Sequence, residues 1–246
     1  MSQAKGVALV TGAGQNIGRA LAVQLARDGF DVVVNGLSNR VAADETGNMV
    51  RAEGREAVIA MGDTGKPDDC AAMVAAAAPL GDVSVLVHNA AVRPAAPFLE
   101  TSEADWTRVM DINLSGGVWL ARAVLPAMVA KGWGRIVLFA GMNAIHGYNG
   151  RAATSVSKHG LWGLAKSLGK EFGARGITTN IVSPGPIASE HADPEMRAHI
   201  EGMKSRVPVG RLGQPAEVAS MVSLLVSEQG GFINGQMLQV NGGAET

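Results

Sequence analysis

Short apolar runs alternate with longer amphipathic stretches from one end of the 246-residue chain to the other. Val7–Val10, Val32–Asn35, Ala57–Met61, Val83–His88, Arg135–Phe139, Thr178–Val182 and Met237–Val240 read as strands. The runs VALV, DVVVN, VSVLVHN and RIVLF lack polar alternation, as strands buried on both faces of a parallel sheet do. Between them, apolar spacing predicts helices over 17–27, 41–52, 68–78, 105–131, 154–174 and 216–227, with Ser102 and Asp105 as a capping box before the fourth. A βα succession with short turns predicts an α/β fold, a doubly wound Rossmann-type parallel sheet of seven strands with helices on both faces. No linker, repeat or low-complexity tract divides residues 1–246, which read as one domain. Residues 187–211, with Pro194 and Pro208, are the candidate flap over a site.

Composition narrows the function classes. Hydrophobic residues make up 47% of the chain, enough for a large core and against wholesale disorder. A net charge of −1 gives no reason to expect nucleic acid or an anionic membrane as partner. No apolar run approaches the ~20 residues that span a bilayer, and Met1–Lys5 has no leader character. Cys70 is the single cysteine, so no internal disulfide forms; a cytoplasmic, reducing location and an inert thiol are expected. No cluster of His, Cys and carboxylates has ligand spacing, so no metal site is expected.

The candidate chemistry gathers where strands end. The first strand runs into Thr11-Gly12-Ala13-Gly14-Gln15-Asn16-Ile17-Gly18 and a helix. Glycines there let the backbone approach a pyrophosphate, which sits on the helix N-terminus. Asp63-Thr64 follows the third strand, where a carboxylate can accept from an adenine amino group. Asn89-Ala90 follows the fourth, Asn113 lies in Asp111-Ile112-Asn113-Leu114, and Pro184-Gly185-Pro186-Ile187 follows the sixth. All stand at the carboxyl edge, where open α/β sheets bind ligands.

In order and spacing these motifs resemble the classical short-chain dehydrogenase/reductase family over essentially the whole chain, and its 3-oxoacyl-carrier-protein reductase-like members in particular. The resemblance implies a nicotinamide dinucleotide cofactor, a small-molecule substrate, and a homodimer or homotetramer built on the fourth and fifth helices and the C-terminal edge. It assigns Gly12, Gly14, Asn16, Ile17, Gly18, Asp63, Thr64, Asn89, Ala90, Pro184, Gly185 and Ile187 to the cofactor. The family's middle glycine is replaced by Asn16, a residue that tolerates left-handed backbone. At the end of the second strand Gly36 stands where NAD-specific relatives place an acid. Ser38, Asn39 and Arg40 can instead receive a 2′-phosphate, which favours NADP over NAD.

The catalytic pattern departs from the family. Relatives carry Tyr-x-x-x-Lys, with a serine thirteen residues before the tyrosine and an asparagine in the fourth helix. Lys158 and Asn113 are retained, whereas Thr154 occupies the tyrosine position and Gly141 the serine position. A phenol of pKa ≈ 10 can be brought toward neutrality by an ammonium, and an aliphatic hydroxyl cannot. Three readings stay open. In the first, the acid is relocated to Tyr148, the only tyrosine, or to His146, with Asn143 replacing serine and Lys158 still on the ribose. In the second, the fold hosts a non-redox isomerase, lyase or hydrolase. In the third, the chain is a catalytically inactive nucleotide-binding or regulatory protein. His88 is expected to be structural and His159 to point off the lysine's helix face.

Overall fold

The computed structural model describes residues 4–189 and 201–244. Seven strands, all parallel, run in the order β3-β2-β1-β4-β5-β6-β7. They are β1 (Val7–Val10), β2 (Asp31–Gly36), β3 (Ala57–Met61), β4 (Val83–His88), β5 (Gly134–Phe139), β6 (Ile177–Pro184) and β7 (Met237–Val240). The order reverses between β1 and β4, and Val10 lies opposite both Val34 and Val87, so three strands end together at this switch point. A crevice there is the ligand position of open α/β sheets.

Strand alternation sorts the core into two layers. Ala8, Val10, Val32 and Val34 face α1 (Asn16–Arg27), α2 (Arg40–Ala52) and α8 (Pro215–Val226), meeting Leu21, Leu25, Val50 and Val222. Val7, Leu9 and Val33 face the opposite layer of α3 (Pro67–Ala75), α5 (Gly116–Lys131) and α7 (Ala152–Phe172), with Met73, Leu120, Val124 and Leu161. Strands buried on both sides explain the missing alternation in the sequence.

The helix expected over 105–131 is two helices. α4 (Glu103–Met110) passes through a π-turn at Asp111–Ser115 into α5. Such turns interrupt the hydrogen-bond ladder and often mark functional positions; this one carries Asn113. Glycines set how closely α5 packs on its neighbours: a Cβ on Gly116 would lie 2.7 Å from the Thr64 carbonyl oxygen in the turn after β3, and one on Gly117 2.8 Å from Leu161 Cδ2 of α7. The run Glu103–Lys131 is long and apolar enough by composition to cross a membrane, but half of its apolar window is buried within the fold.

Smaller differences have local causes. Ser102 Oγ caps α4 through Asp105 N–H (3.0 Å), but the Asp105 carboxylate takes the Ser102 hydroxyl (2.7 Å), so the box is half made. A complete box, Gln214 with Glu217, opens α8 behind Pro215. A four-residue helix, α6 (Asn143–His146), follows β5. Of the expected flap, Ile187 pairs with Gly213 and Val209 N–H donates to Gly242, fixing its base; Pro194, His191 and His199 lie outside the described residues.

Alanine in a helix interior normally gains up to ~1 kcal/mol over glycine. Gly116→Ala should reverse that sign and destabilise by about 1–3 kcal/mol, because the methyl meets the buried Thr64 backbone carbonyl. Urea midpoints measure it; a stabilised variant would mean that α5 is free to lift.

Candidate active site

The end of β1 is built around one hydroxyl. Thr11 Oγ1 accepts from the N–H groups of Asn89 (3.1 Å) and Ala90 (3.0 Å). Its own proton is left for His88 Nδ1 at 3.2 Å, which makes His88 the Nε2–H tautomer. His88 is completely buried; desolvation, reinforced by Lys158, pushes its pKa down to about 3, so the imidazole is neutral. Nε2 faces the backbone of Ile112 and Asn113 without closing a bond of good geometry. The expected structural role for His88 is what the geometry supports.

Two amides complete the scaffold. Asn89 Nδ2 donates to the Thr11 and Gly12 carbonyls, 3.1 Å each. Asn35, buried at the end of β2, accepts from Gly12 N–H (3.2 Å) and donates to the carbonyls of Ala60 (3.0 Å) and Gly62 (3.2 Å). Across the turn they hold, Asn16 has φ 49°, the one non-glycine in the left-handed region among the described residues. A Cβ on Gly18 would lie 2.0 Å from the Gly12 carbonyl oxygen, so only glycine fits. Gly14 packs on Ala42, and Ile17 lies in the first turn of α1, which holds no acid and has no side-chain cap from Gln15. An anion there meets the positive end of the helix.

The opposite wall comes from the chain after β6. Gly185 N–H donates to Val240 (3.0 Å), and a Cβ on Gly185 would lie 2.6 Å from Asn241 Cα. A cleft of about 410 Å³ separates α1 from the flap base, lined by Asn16, Arg19, Ala188 and Ser189 among others. Ser189 Oγ is buried with no hydrogen-bond partner among the described residues. A glycine turn on one side and an orphaned hydroxyl on the other fit a dinucleotide; Ser189 was not legible in the sequence.

At the adenosine end, Ser38 and Asn39 are exposed, with Asn39 Oδ1 capping α2 through Ala42 N–H (3.0 Å). Arg40 pairs with Asp44 at 3.0 Å on the surface, a contact of about 0.3–0.5 kcal/mol that a phosphate can displace. Burial acts to raise the Asp63 carboxyl, but Arg108 at 2.7 Å and Gly65 N–H outweigh it and hold it below the usual carboxylate range. Arg108 thus anchors the proposed adenine contact. Thr64 beside it is buried, its carbonyl accepting from Cys70 Sγ (3.2 Å). Burial pushes the Cys70 thiol up to about 11, as befits an inert side chain.

Over β5 lie the positions that the family resemblance assigns to catalysis. Lys158 is 2% exposed, and its Nζ donates to the Phe139 carbonyl at 2.7 Å. Burial, with Arg93 adding to it, pushes Lys158 down to about 7. Asn113 clamps Val92 with both ends of its amide, 2.9 Å each, and donates to Ser157 Oγ (3.3 Å). Ser157 in turn donates to the Thr154 carbonyl (2.8 Å). Thr154 is buried one turn before Lys158, its hydroxyl without a protein partner among the described residues. Gly141 has φ 134°; a Cβ there would meet nothing within 4 Å, but an L side chain would strain the backbone. Tyr148 lies exposed on the loop between α6 and α7, and Arg151 N–H donates to its carbonyl. Asn143 heads α6, and its side chain lies outside what is described. His159 is exposed and tilts against Trp162, away from Lys158.

Comparison with known proteins agrees with this geometry. Residues 12–245 match the family model described as Enoyl-(Acyl carrier protein) reductase. The chain is 35% identical over 238 residues to Nodulation protein G of Azospirillum brasilense, covering 96% of this chain and 97% of that one. It is 33% identical to the 3-oxoacyl-[acyl-carrier-protein] reductase FabG of Staphylococcus aureus over 96% of each chain. A Beutenbergia cavernae crystal structure, provisionally assigned as an NAD(P) dependent gluconate 5-dehydrogenase with NADP bound at low occupancy, superposes with a TM-score of 0.88. It is 33% identical, over 99% of this chain and 98% of that one. With a seven-stranded parallel sheet, a glycine turn at its switch point and Lys158 over β5, the chain belongs to the short-chain dehydrogenase/reductase family.

Proposed function

We propose that the protein is an NAD(P)-dependent oxidoreductase with an altered proton-transfer apparatus. The observation that carries this reading is the intact cofactor side: the turn strapped by Thr11, Asn35 and Asn89, faced by Ser189 and underpinned by Lys158. Bound nicotinamide dinucleotide would exchange a hydride with a carbonyl or alcohol carbon. Lys158 would orient its ribose, and Asn113 would hold the Val92 loop and the proton relay. NADP is favoured because Gly36 leaves no acid for the ribose 2′-hydroxyl, while Ser38, Asn39 and Arg40 stand ready for a 2′-phosphate. The relative with bound NADP supports the same choice. An assembly of two or four copies in the cytoplasm, acting on a small molecule, belongs to this reading.

For the proton on the substrate oxygen, Tyr148 is the donor in the reading developed from the sequence. Thr154 cannot take that role, since its hydroxyl neither ionises nor extends as a phenol does. Lys158 is the second candidate, and its pKa of about 7 favours it: a buried amine there gives and takes a proton at neutral pH.

Tyr148→Phe should lower kcat by roughly 10²–10⁴ with nucleotide affinity unchanged. Unchanged turnover would hand the role to Lys158, whose titration near 7 would then appear in the kcat profile. Arg40→Ala should weaken NADP by about tenfold or more and leave NAD within a factor of about two, read by tryptophan fluorescence titration. Equal losses for both would remove Arg40 from 2′-phosphate recognition. If none of the four nicotinamide nucleotides binds the parent protein, the redox reading fails.

Lys158 also sets a pH dependence of stability. Its pKa is about 7 when folded against 10.5 when exposed, so between these values the unfolded chain binds the extra proton and stability rises with pH. The stability of Lys158→Met relative to the parent should be greatest below pH 7 and decline steadily toward 10.5. Urea midpoints across that range test it, and a constant difference would mean that the amine is solvated.

A further inference from the structure

Arg93, on the loop after β4, and Arg151, the N-cap of α7, are in contact. The Arg151 guanidinium donates to the Arg93 carbonyl, and Ala96 N–H donates to the Gly150 carbonyl at 3.1 Å, lacing the two loops together. Arg93 is also fixed from behind, because Asn113 grips both backbone groups of its neighbour Val92. Both arginines are therefore tied through Val92 to Asn113, which also reaches Ser157 beside Lys158.

Their charges are not balanced. Arg93 is exposed as a residue, yet protein crowds its guanidinium enough to push its pKa down, and Arg151 adds to the effect. Arg93 in turn depresses Lys158. Among the described residues, none of the three cations is in a salt bridge. The first turn of α7 holds no acid and has no side-chain cap, and the Thr154 hydroxyl in it has no protein partner among the described residues. Cations that destabilise one another's charge are relieved by an anion. The guanidinium fork matches a planar carboxylate, which can take two parallel hydrogen bonds.

We propose that Arg93 and Arg151 form a carboxylate-binding subsite, and that the substrate is a small hydroxy- or keto-carboxylate. Its acid group docks on the two arginines while its carbonyl or carbinol carbon points toward Lys158 and Thr154. The subsite stands on the arginines; only the statement that its occupant is a redox substrate rests on the oxidoreductase reading.

The test is calorimetric titration with malonate at constant ionic strength, using malonamide as the uncharged isostere and inorganic phosphate as the competing anion. The expected result is saturable malonate binding that weakens by about tenfold or more in Arg93→Gln and Arg151→Gln, with no binding of malonamide. Arg93→Lys should recover only part of the loss, since it restores charge without the fork. Unchanged nucleotide affinity in the variants shows that they are folded. Equal binding of malonate and malonamide, tighter binding of phosphate, or malonate binding insensitive to both substitutions overturns the subsite. A carbonyl screen separates the two readings. Arginine-dependent malonate binding without any turnover defeats the redox reading alone. Turnover of carbonyl substrates with malonate binding that survives both Arg93→Gln and Arg151→Gln defeats the subsite alone.

Discussion

The architecture of the site depends on the Thr11 hydroxyl. It takes two backbone N–H groups from the start of the loop after β4 and gives its proton to a buried imidazole, so three strand-end groups share one oxygen. Burying polar groups at a sheet edge costs several kcal/mol unless each finds a partner. Here that requirement dictates the geometry: with Asn35 and Asn89 it fixes the Gly12 backbone, leaving the turn little freedom of its own. A rigid turn is what a pyrophosphate needs, since the binding N–H groups then need no reorganisation.

Charge organises the other half. Neutral His88 and depressed Lys158 lie close enough to affect one another, and the charge of Arg93 adds to the depression of Lys158. Among the described residues no carboxylate pairs with Lys158 or Arg93. Such a site favours neutral forms of its own bases and negative charge in its ligands. One electrostatic condition thus links a lysine that titrates near neutrality to arginines that await an anion.

The fold was legible because buried parallel strands leave continuous apolar runs, and all seven strands lie where those runs fall. Helix ends were harder to read. The π-turn at Asp111–Ser115 is invisible in a periodicity carried smoothly from Val109 through Ile112 into α5, and only Gly116-Gly117 hinted at a close approach. Within the site, residues in contiguous motifs could be named in advance. Asn35, Arg108 and Ser189 could not, because each acts through a partner distant in sequence or through the lack of one. Arg93 and Arg151 belong to no motif; their meaning comes from the loops that bring positions 58 residues apart together.

The two replaced catalytic positions differ in kind. Thr154 is a side-chain change on an unaltered helix: it sits in register with Lys158, buried in the first turn of α7. Gly141 is a backbone change. Its φ of 134° is one that a serine adopts only under strain, although there is open space for the side chain. Restoring the serine alone would therefore move the chain between β5 and α6 before restoring a hydroxyl to its place. Under the proposed function, a backbone fitted to glycine beside a buried lysine and an asparagine clamping Val92 is what a relocated proton path requires.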